Sequence, residues 1–409
     1  MIRLHDLRTG IAALALAFGC VSFAPFALAA DSVRPEVGNP LKAAQALTKS
    51  GRHREALSKI NEADAVSGKS AYESFLIQQM RGSVAAAAGD NDTAIRSFEA
   101  VMSSGRLSGG EQLRIIQALA GMYYRAKEYA KAAQWTQRYF KEGGTDPAMR
   151  TILLQSYFLS NDCTSVAKML HYAGSAEEAD GRKPTEEELQ ILANCFLRQR
   201  DTGGYVGAIE RLVVFYPKKE YWADLLSRVQ RKPGFSDRHA LHVYRLKLAT
   251  GNLSGPSDYM EMAQLALQAG APAEAKLVVD KGYATNALGS GKEAERHQRL
   301  RDLVTKSVDE AKKNRAQDER DALASREGNE LVKLGMNYVF EGQAEKGIGL
   351  IEDGIKKGNL KRPEDAKLQL GEAQVLGGQR SKGVQTLKGV HGNDGTADLA
   401  RLWVLHSRV

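Results

Sequence analysis

At 409 residues, with 43% hydrophobic side chains, 7% aromatic and 39 glycines against 10 prolines, the chain can bury the cores of more than one domain. This composition excludes a disordered chain, a collagen and a protein that crosses a membrane many times. The formal charge of +8 suggests an anionic neighbour without naming one.

Residues 1–29 read as an export signal, with Arg3 and Arg8 at the start, an apolar run over 11–21, and small Ala27 and Ala29 ahead of Asp31. Cleavage is expected after Ala29. A membrane anchor is the competing reading, but Gly19, Ser22 and Pro25 interrupt the run short of the roughly 20 residues a span needs. A lipoprotein signal ending at Cys20 fits poorly, since Ala17 stands where leucine is usual. The mature chain would then be periplasmic, without a stable transmembrane segment, and would keep only Cys163 and Cys195.

From residue 30 onward the chain repeats itself. Small or apolar residues recur at Leu47, Ala85, Tyr123, Tyr157, Phe196, Val229, Ala266, Leu303, Tyr338 and Gln374, an average spacing close to 36 residues that marks ten units. Within each unit, apolar residues fall at helical spacing, a turn follows, and a second helical stretch begins. Gly51, Gly89, Asn161, Gly270, Gly342 and Gly378 stand four residues after the marker, where a helix ends in a left-handed residue. The second stretch then offers a small residue (Ala56, Ala94, Ala132, Ala208, Ala275, Gly347 or Gly383) and a partner four later (Ile60, Phe98, Thr136, Leu212, Val279, Ile351 or Leu387).

The clearest unit, Leu331, Leu334, Gly335, Tyr338, Gly347 and Ile351, falls on the W-x2-L-G-x2-Y and A-x3-F pattern with substitutions, and so resembles a tetratricopeptide repeat. The resemblance implies an all-α, right-handed α-solenoid of about ten helix-turn-helix units. The division expected is a signal peptide over 1–29, a solenoid of seven units over 30–290, a degenerate charged helical unit over 291–327, and further units with a capping helix over 328–409. Unit five inserts Thr202, Gly203 and Gly204 at its turn, and unit six carries Pro233 and Gly234 there. The charged run 306–326 reads as a solvated helix face, with a hinge or docking arm as the alternative. Residues 396–406 carry Leu399, Leu402, Trp403 and His406 at helical spacing, as a helix covering the last open face requires.

No catalytic pattern, nucleotide loop or metal-ligand spacing appears, so no enzyme and no cofactor is expected. His239 and His242 are three apart with no further ligand a turn away, and read as an exposed or half-packed pair. Glu186, Glu187 and Glu188 are explained by a helix start, Thr185 and Glu188 forming a capping box. Residues 218–247 form a basic patch, with Lys218, Lys219, Arg228, Arg231 and Lys232 at its core and aromatic residues between. Export argues against nucleic acid as its ligand.

Tetratricopeptide proteins bind peptides or domains on the face made by the first helix of each unit. Here the inward positions include Gln117, Tyr124, Arg125, Gln155, Phe158, Leu159, Gln264, Leu267, Gln268, Val332, Met336, Val339 and Phe340. They lack the Lys and Asn set with which some cytosolic relatives hold a C-terminal carboxylate. Residues 216–282 are similar to periplasmic repeat proteins of proteobacteria, some of which accompany TonB, ExbB and ExbD. That similarity implies a non-enzymatic envelope scaffold whose partner is another envelope protein or peptide, a TonB-system component among the candidates. The alternative function is an accessory or helical enzyme of peptidoglycan metabolism.

In such a solenoid Cys163 opens the second helix of unit four and Cys195 lies near the end of the first helix of unit five, which makes the two sulfurs neighbours and a disulfide the expectation. Two thiols packed as small apolar groups are the alternative.

Overall fold

Helix ends decide this architecture. In the computed structural model, which describes residues 32–170 and 183–409, all six turn positions named from the spacing have positive φ: Gly51, Gly89, Asn161, Gly270, Gly342 and Gly378. Lys127 and Arg200 hold the same position in units three and five and also take φ of 62° and 58°. At each of these turns the marker carbonyl accepts the N–H five residues on, as in Tyr123 with Glu128, Phe196 with Asp201 and Tyr338 with Gln343, all at 2.9 Å. This is the Schellman closure, in which one left-handed residue lets the chain reverse while pairing an orphan carbonyl.

The described residues form twenty α-helices and no strand. They divide into two compact units, one made of residues 32–170 with Asn194–Asp201, the other of Lys183–Ala193 and Thr202–Val409. The first holds α1 (Pro35–Lys49), α2 (His53–Asp64), α3 (Ala71–Ala88), α4 (Asn91–Ser103), α5 (Gly109–Arg125), α6 (Tyr129–Lys141), α7 (Pro147–Leu159) and α8 (Cys163–Met169), while α9 (Glu186–Arg198) contributes to both. Successive helices pair antiparallel through the small residues: Ala56, Ala94 and Ala132 are fully buried, with Ile60, Phe98 and Thr136 beside them. Gly82 makes room for Phe98, since a Cβ there would sit 2.7 Å from its ring. Truncating Phe98 would forfeit about 3–5 kcal/mol of packing. Cys163 and Cys195 are joined by a disulfide with Cα atoms 5.2 Å apart. On the chain-entropy estimate that closure is worth about 3–4 kcal/mol.

The second unit contains α10 (Thr202–Phe215), α11 (Lys219–Gln230), a 3-10 turn (Asp237–His239), α12 (Ala240–Ala249), α13 (Gly255–Gln268), α14 (Pro272–Ala284), α15 (Ala294–Ala324), α16 (Asn329–Phe340), α17 (Ala344–Lys357), α18 (Pro363–Leu376), α19 (Arg380–Lys388) and α20 (Thr396–His406). Gly335 and Gly347 bring α16 and α17 together, a Cβ on either meeting the other's carbonyl at 2.5 Å. The Thr185–Glu188 capping box is formed, with N–H to side-chain oxygen distances of 2.8 and 3.2 Å.

Three features differ from the sequence expectation. Thr202, Gly203 and Gly204 are not a loop insertion but the first turn of α10. Unit eight is not a helix pair: α15 runs unbroken for 31 residues, and its marker Leu303 is exposed. Its charged second half is fastened rather than free, Arg315 forking onto Glu341 and Glu319 pairing with Lys346. Finally, α20 does more than cover the last pair, because it also packs on α10 and α12, closing the second unit on itself. The export signal expected over 1–29 lies outside the described residues. No helix of the described residues is long and apolar enough to cross a membrane.

Lys127 and Arg200 carry a side chain where glycine is unstrained. A left-handed L-residue costs about 1–2 kcal/mol, against about 0.5–1 kcal/mol for the extra unfolded freedom of glycine. Lys127→Gly and Arg200→Gly should therefore each raise stability by about 0.5–1 kcal/mol in urea unfolding of the oxidised chain. An unchanged or lowered midpoint would contradict this reading of the turns.

Candidate functional site

The inward positions fall into two sets, one in each compact unit. In the first unit, Gln117 donates to Asp146 at 2.9 Å and Tyr124 donates to Gln155 at 2.7 Å, so these polar groups are held in fixed orientations. Arg125 is exposed beside them. Phe158, expected to meet a partner, is buried instead: the Arg198 guanidinium lies 4.0 Å over its ring and donates to its carbonyl at 3.0 Å. The apolar groups presented at the matching positions are Leu159 and Leu197, 43% and 42% exposed. Leu197 and Arg198 are one and two residues past the Phe196 marker, so the repeat register itself could have found them. Tyr124, Arg125, Leu159, Leu197 and Arg198 thus form the inward row of three successive first helices, with arginines flanking leucines.

In the second unit the inward positions part ways. Val332, Met336 and Val339 are core residues packed with Ile348, Ile351, Ala366 and Ala373, so no open face exists there. Gln264 and Gln268 stay exposed and line a groove of about 510 Å³ along α13 and the start of α15, together with Ser257, Met260, Glu293 and His297.

The basic patch is largely neutralised from within. Lys218 pairs with Glu186 at 2.6 Å, Arg228 with Asp224 at 3.0 Å and Lys232 with Asp398 at 2.8 Å. Arg238 forks onto Asp365 and also reaches Asp394. Of the five core cations, Lys219 and Arg231 have no ion pair among the described residues. The partners of Lys232 and Arg238 lie 127 to 166 residues away in sequence, which is why a local charge count saw an excess.

The same return of the C-terminal helices fully packs the two histidines that read as an exposed or half-packed pair. His242 Nδ1 donates to Glu372 at 2.8 Å, and the Trp403 indole N–H donates to the same oxygen at 2.9 Å. Arg245 holds Glu274 with two bonds of 2.7 Å and Glu372 with one of 2.9 Å. Arg245 is 5% exposed, and Glu274 and Glu372 are wholly buried. His239 sits against Thr396 at 3.1 Å, and Asp394 is held below the usual carboxylate range by the Thr396 hydroxyl and Arg238. Burial alone would raise the Glu372 carboxyl, but His242 and Arg245 outweigh it and hold the group below its ordinary value. Burial lowers the His239 value, with His242 and Arg238 adding to it.

Among the described residues no group of three His, Cys, Asp or Glu side chains could hold a metal ion. The row in the first unit presents exposed leucines and arginines beside polar groups held by hydrogen bonds.

The charge hub has a definite pH signature. The folded value of Glu372 lies below its unfolded one, so its stabilisation is complete above the ordinary glutamate range and vanishes as pH falls through the folded value. Depressed His239 acts in the same direction from the ordinary imidazole range downward, because the unfolded chain takes up its proton first. Acidification should loosen the second unit, and Glu372→Gln should cost it about 3–5 kcal/mol at neutral pH by leaving Arg245 short of a counter-charge. The variant should also show a flatter loss between neutral and acid pH in two-transition melting curves. A variant as stable and as acid-sensitive as the wild type would contradict the assignment.

No family model matches this chain, and no curated protein does. Among solved structures it is similar to the TPR2AB domain of yeast Sti1 in a pHSP90 complex, at 13% identity over 66% of this chain and 98% of that one, TM-score 0.32. It is also similar to the P58(IPK) TPR domain, at 12% identity over 91% and 97%, TM-score 0.24, and to yeast Tom70, at 10% over 91% and 95%, TM-score 0.26. These likenesses are low, and it is the repeated turn and pair geometry that makes the described chain an α-solenoid of tetratricopeptide-like helix pairs.

Proposed function

We propose that this chain is a non-enzymatic scaffold of the Gram-negative periplasm that holds another envelope protein. The observation that carries the reading is the inward row of the first unit, where Leu159 and Leu197 are exposed and Arg125 and Arg198 are exposed with them. Exposed leucines flanked by cations suit an acidic segment with an apolar anchor, since buried anchors supply most binding energy and rim charges guide approach. The Cys163–Cys195 disulfide supports an oxidising compartment, as the leader-like residues 1–29 do. The resemblance of residues 216–282 to periplasmic repeat proteins makes a TonB-system component the partner we put first.

The test is affinity capture from native periplasm and membranes with cross-linking, comparing the wild type with Leu159→Asp/Leu197→Asp. Both side chains are solvent-exposed, so helicity and melting should hold while capture of a defined partner falls about tenfold or more. The exported protein should begin at Ala30 by N-terminal sequencing, and purified chain should release no fragments from peptidoglycan. Undiminished capture by the folded double variant would remove this row from the account, and fragment release would overturn the non-enzymatic reading.

A further inference from the structure

Repeat unit four is joined differently from its neighbours. Nine residues past their markers, repeat units one to three place Ala56, Ala94 and Ala132 where paired helices cross, all fully buried, whereas unit four has Val166 there. Its second helix, α8, runs for 7 residues, against 12 for α2 and 13 for each of α4 and α6. A bulkier residue at the crossing and a shorter helix leave less surface on which the next first helix can pack. It is from this helix, at its first residue, that Cys163 reaches Cys195 in α9, with Cα atoms 5.2 Å apart.

The bridge falls beside the exposed row. Leu159 stands four residues before Cys163, and Leu197 two after Cys195. A second link is made by the leucines' own neighbours: the Arg198 guanidinium lies 4.0 Å over the Phe158 ring and donates to the Phe158 carbonyl at 3.0 Å. That carbonyl also accepts the Asn161 N–H of the α7 turn at 3.2 Å, while Gln199, Arg200 and Asp201 close the end of α9 onto the Cys195, Leu197 and Phe196 carbonyls. The helix ends that carry the two leucines are thus fastened to each other by a solvent-facing arginine and by a covalent bond. An exposed arginine contact yields to water and salt; a covalent bond does not.

We infer that the Cys163–Cys195 bridge is a redox lock on the row: a chain folded with the sulfurs joined presents Leu159 and Leu197 at one fixed spacing, and a chain folded with free thiols does not. This rests on the row being the partner-facing surface proposed above. The bridge forms by thiol–disulfide exchange with an external disulfide: the two thiols give up two protons and two electrons, the S–S bond closes, and the donor leaves as two thiols. Cys163 and Cys195 are 3% and 1% exposed, so the exchange precedes the packing of α8 against the end of α9, and the finished unit then shields the bond from reductants. The lock is set once, during folding, and a chain that folds where thiols stay reduced has an incomplete row.

The experiment unfolds the full chain in urea, reduces it with a dithiol, and refolds it either with excess glutathione disulfide or with the dithiol kept present, alongside a Cys163→Ala/Cys195→Ala variant. Hydrogen exchange read by mass spectrometry should show the amides of 159–162 and 196–201 exchanging about tenfold or more faster in the thiol form and in the variant, with α1 to α6 unchanged and helix content preserved. Unfolding the thiol form again and refolding it with the disulfide should restore slow exchange. Cross-linked capture from periplasm and membranes should fall about tenfold in the same two samples. Equal exchange at the two helix ends in both forms would overturn the lock, and so would loss of protection throughout α1 to α6, which would make the bridge a general stabiliser. Full capture by the thiol form, where Leu159→Asp/Leu197→Asp abolishes capture, would overturn it while leaving the row intact. Should that double variant capture fully, the row reading fails, and the exchange comparison still decides whether the bridge orders the two ends.

Discussion

Arg245 sits between Glu274 and Glu372 with almost no access to water, and the second compact unit is arranged around that contact. Taking three ions out of solvent costs several kcal/mol each, which only close, multiple charge-assisted bonds can offset. The contact draws on α12, α14 and α18, and Glu372 also receives His242 and Trp403, the latter from α20. Satisfying the buried cation and its two carboxylates therefore brings four helices together. An open stack of repeats needs no such agreement between distant pairs, because each pair touches only its neighbours. Here the last pairs are tied to the first ones, and the inward residues of α16 become core rather than surface.

The first unit follows the simpler rule. Its stability is the sum of repeated local solutions: a small residue where helices cross, a larger one beside it, and a left-handed turn that returns the chain. The disulfide adds a covalent tie between α8 and the end of α9, three residues before Arg198. That placement fixes the helix end whose arginine covers Phe158 and whose Leu197 faces outward. The two units thus expose different surfaces for different reasons, leucines and arginines on one and a polar groove on the other.

Whatever is local was legible in the sequence. Turns at Gly51 through Gly378, the capping box at Thr185, the small-residue crossings and the neighbouring cysteines each depend on spacing within one or two units, and periodicity carries that information. What depends on long-range closure was not legible. His242 read as exposed or half-packed because its partner Glu372 is 130 residues away, and the basic segment looked unbalanced because Asp365, Asp394 and Asp398 return to it from the far end. Residues 294–324 looked like a damaged pair because charges obscured a single helix stripe formed by Leu300, Val304 and Val308. Along the α13 groove, register found Gln264 and Gln268 but not the buried His297, whose Nδ1 accepts a backbone N–H from eight residues upstream.

The buried charge hub closes the second unit on itself, while the exposed leucines and arginines at inward positions belong to the first. Hydrogen exchange followed by mass spectrometry on the intact chain tests the hub directly. Amides of α12, α18 and α20 should exchange through one shared opening, with equal protection at neutral pH and a parallel loss on acidification. Rapid exchange of α20 at neutral pH while α12 stays protected would show that the C-terminal helices are not held by Arg245 and Glu372, and would contradict the account.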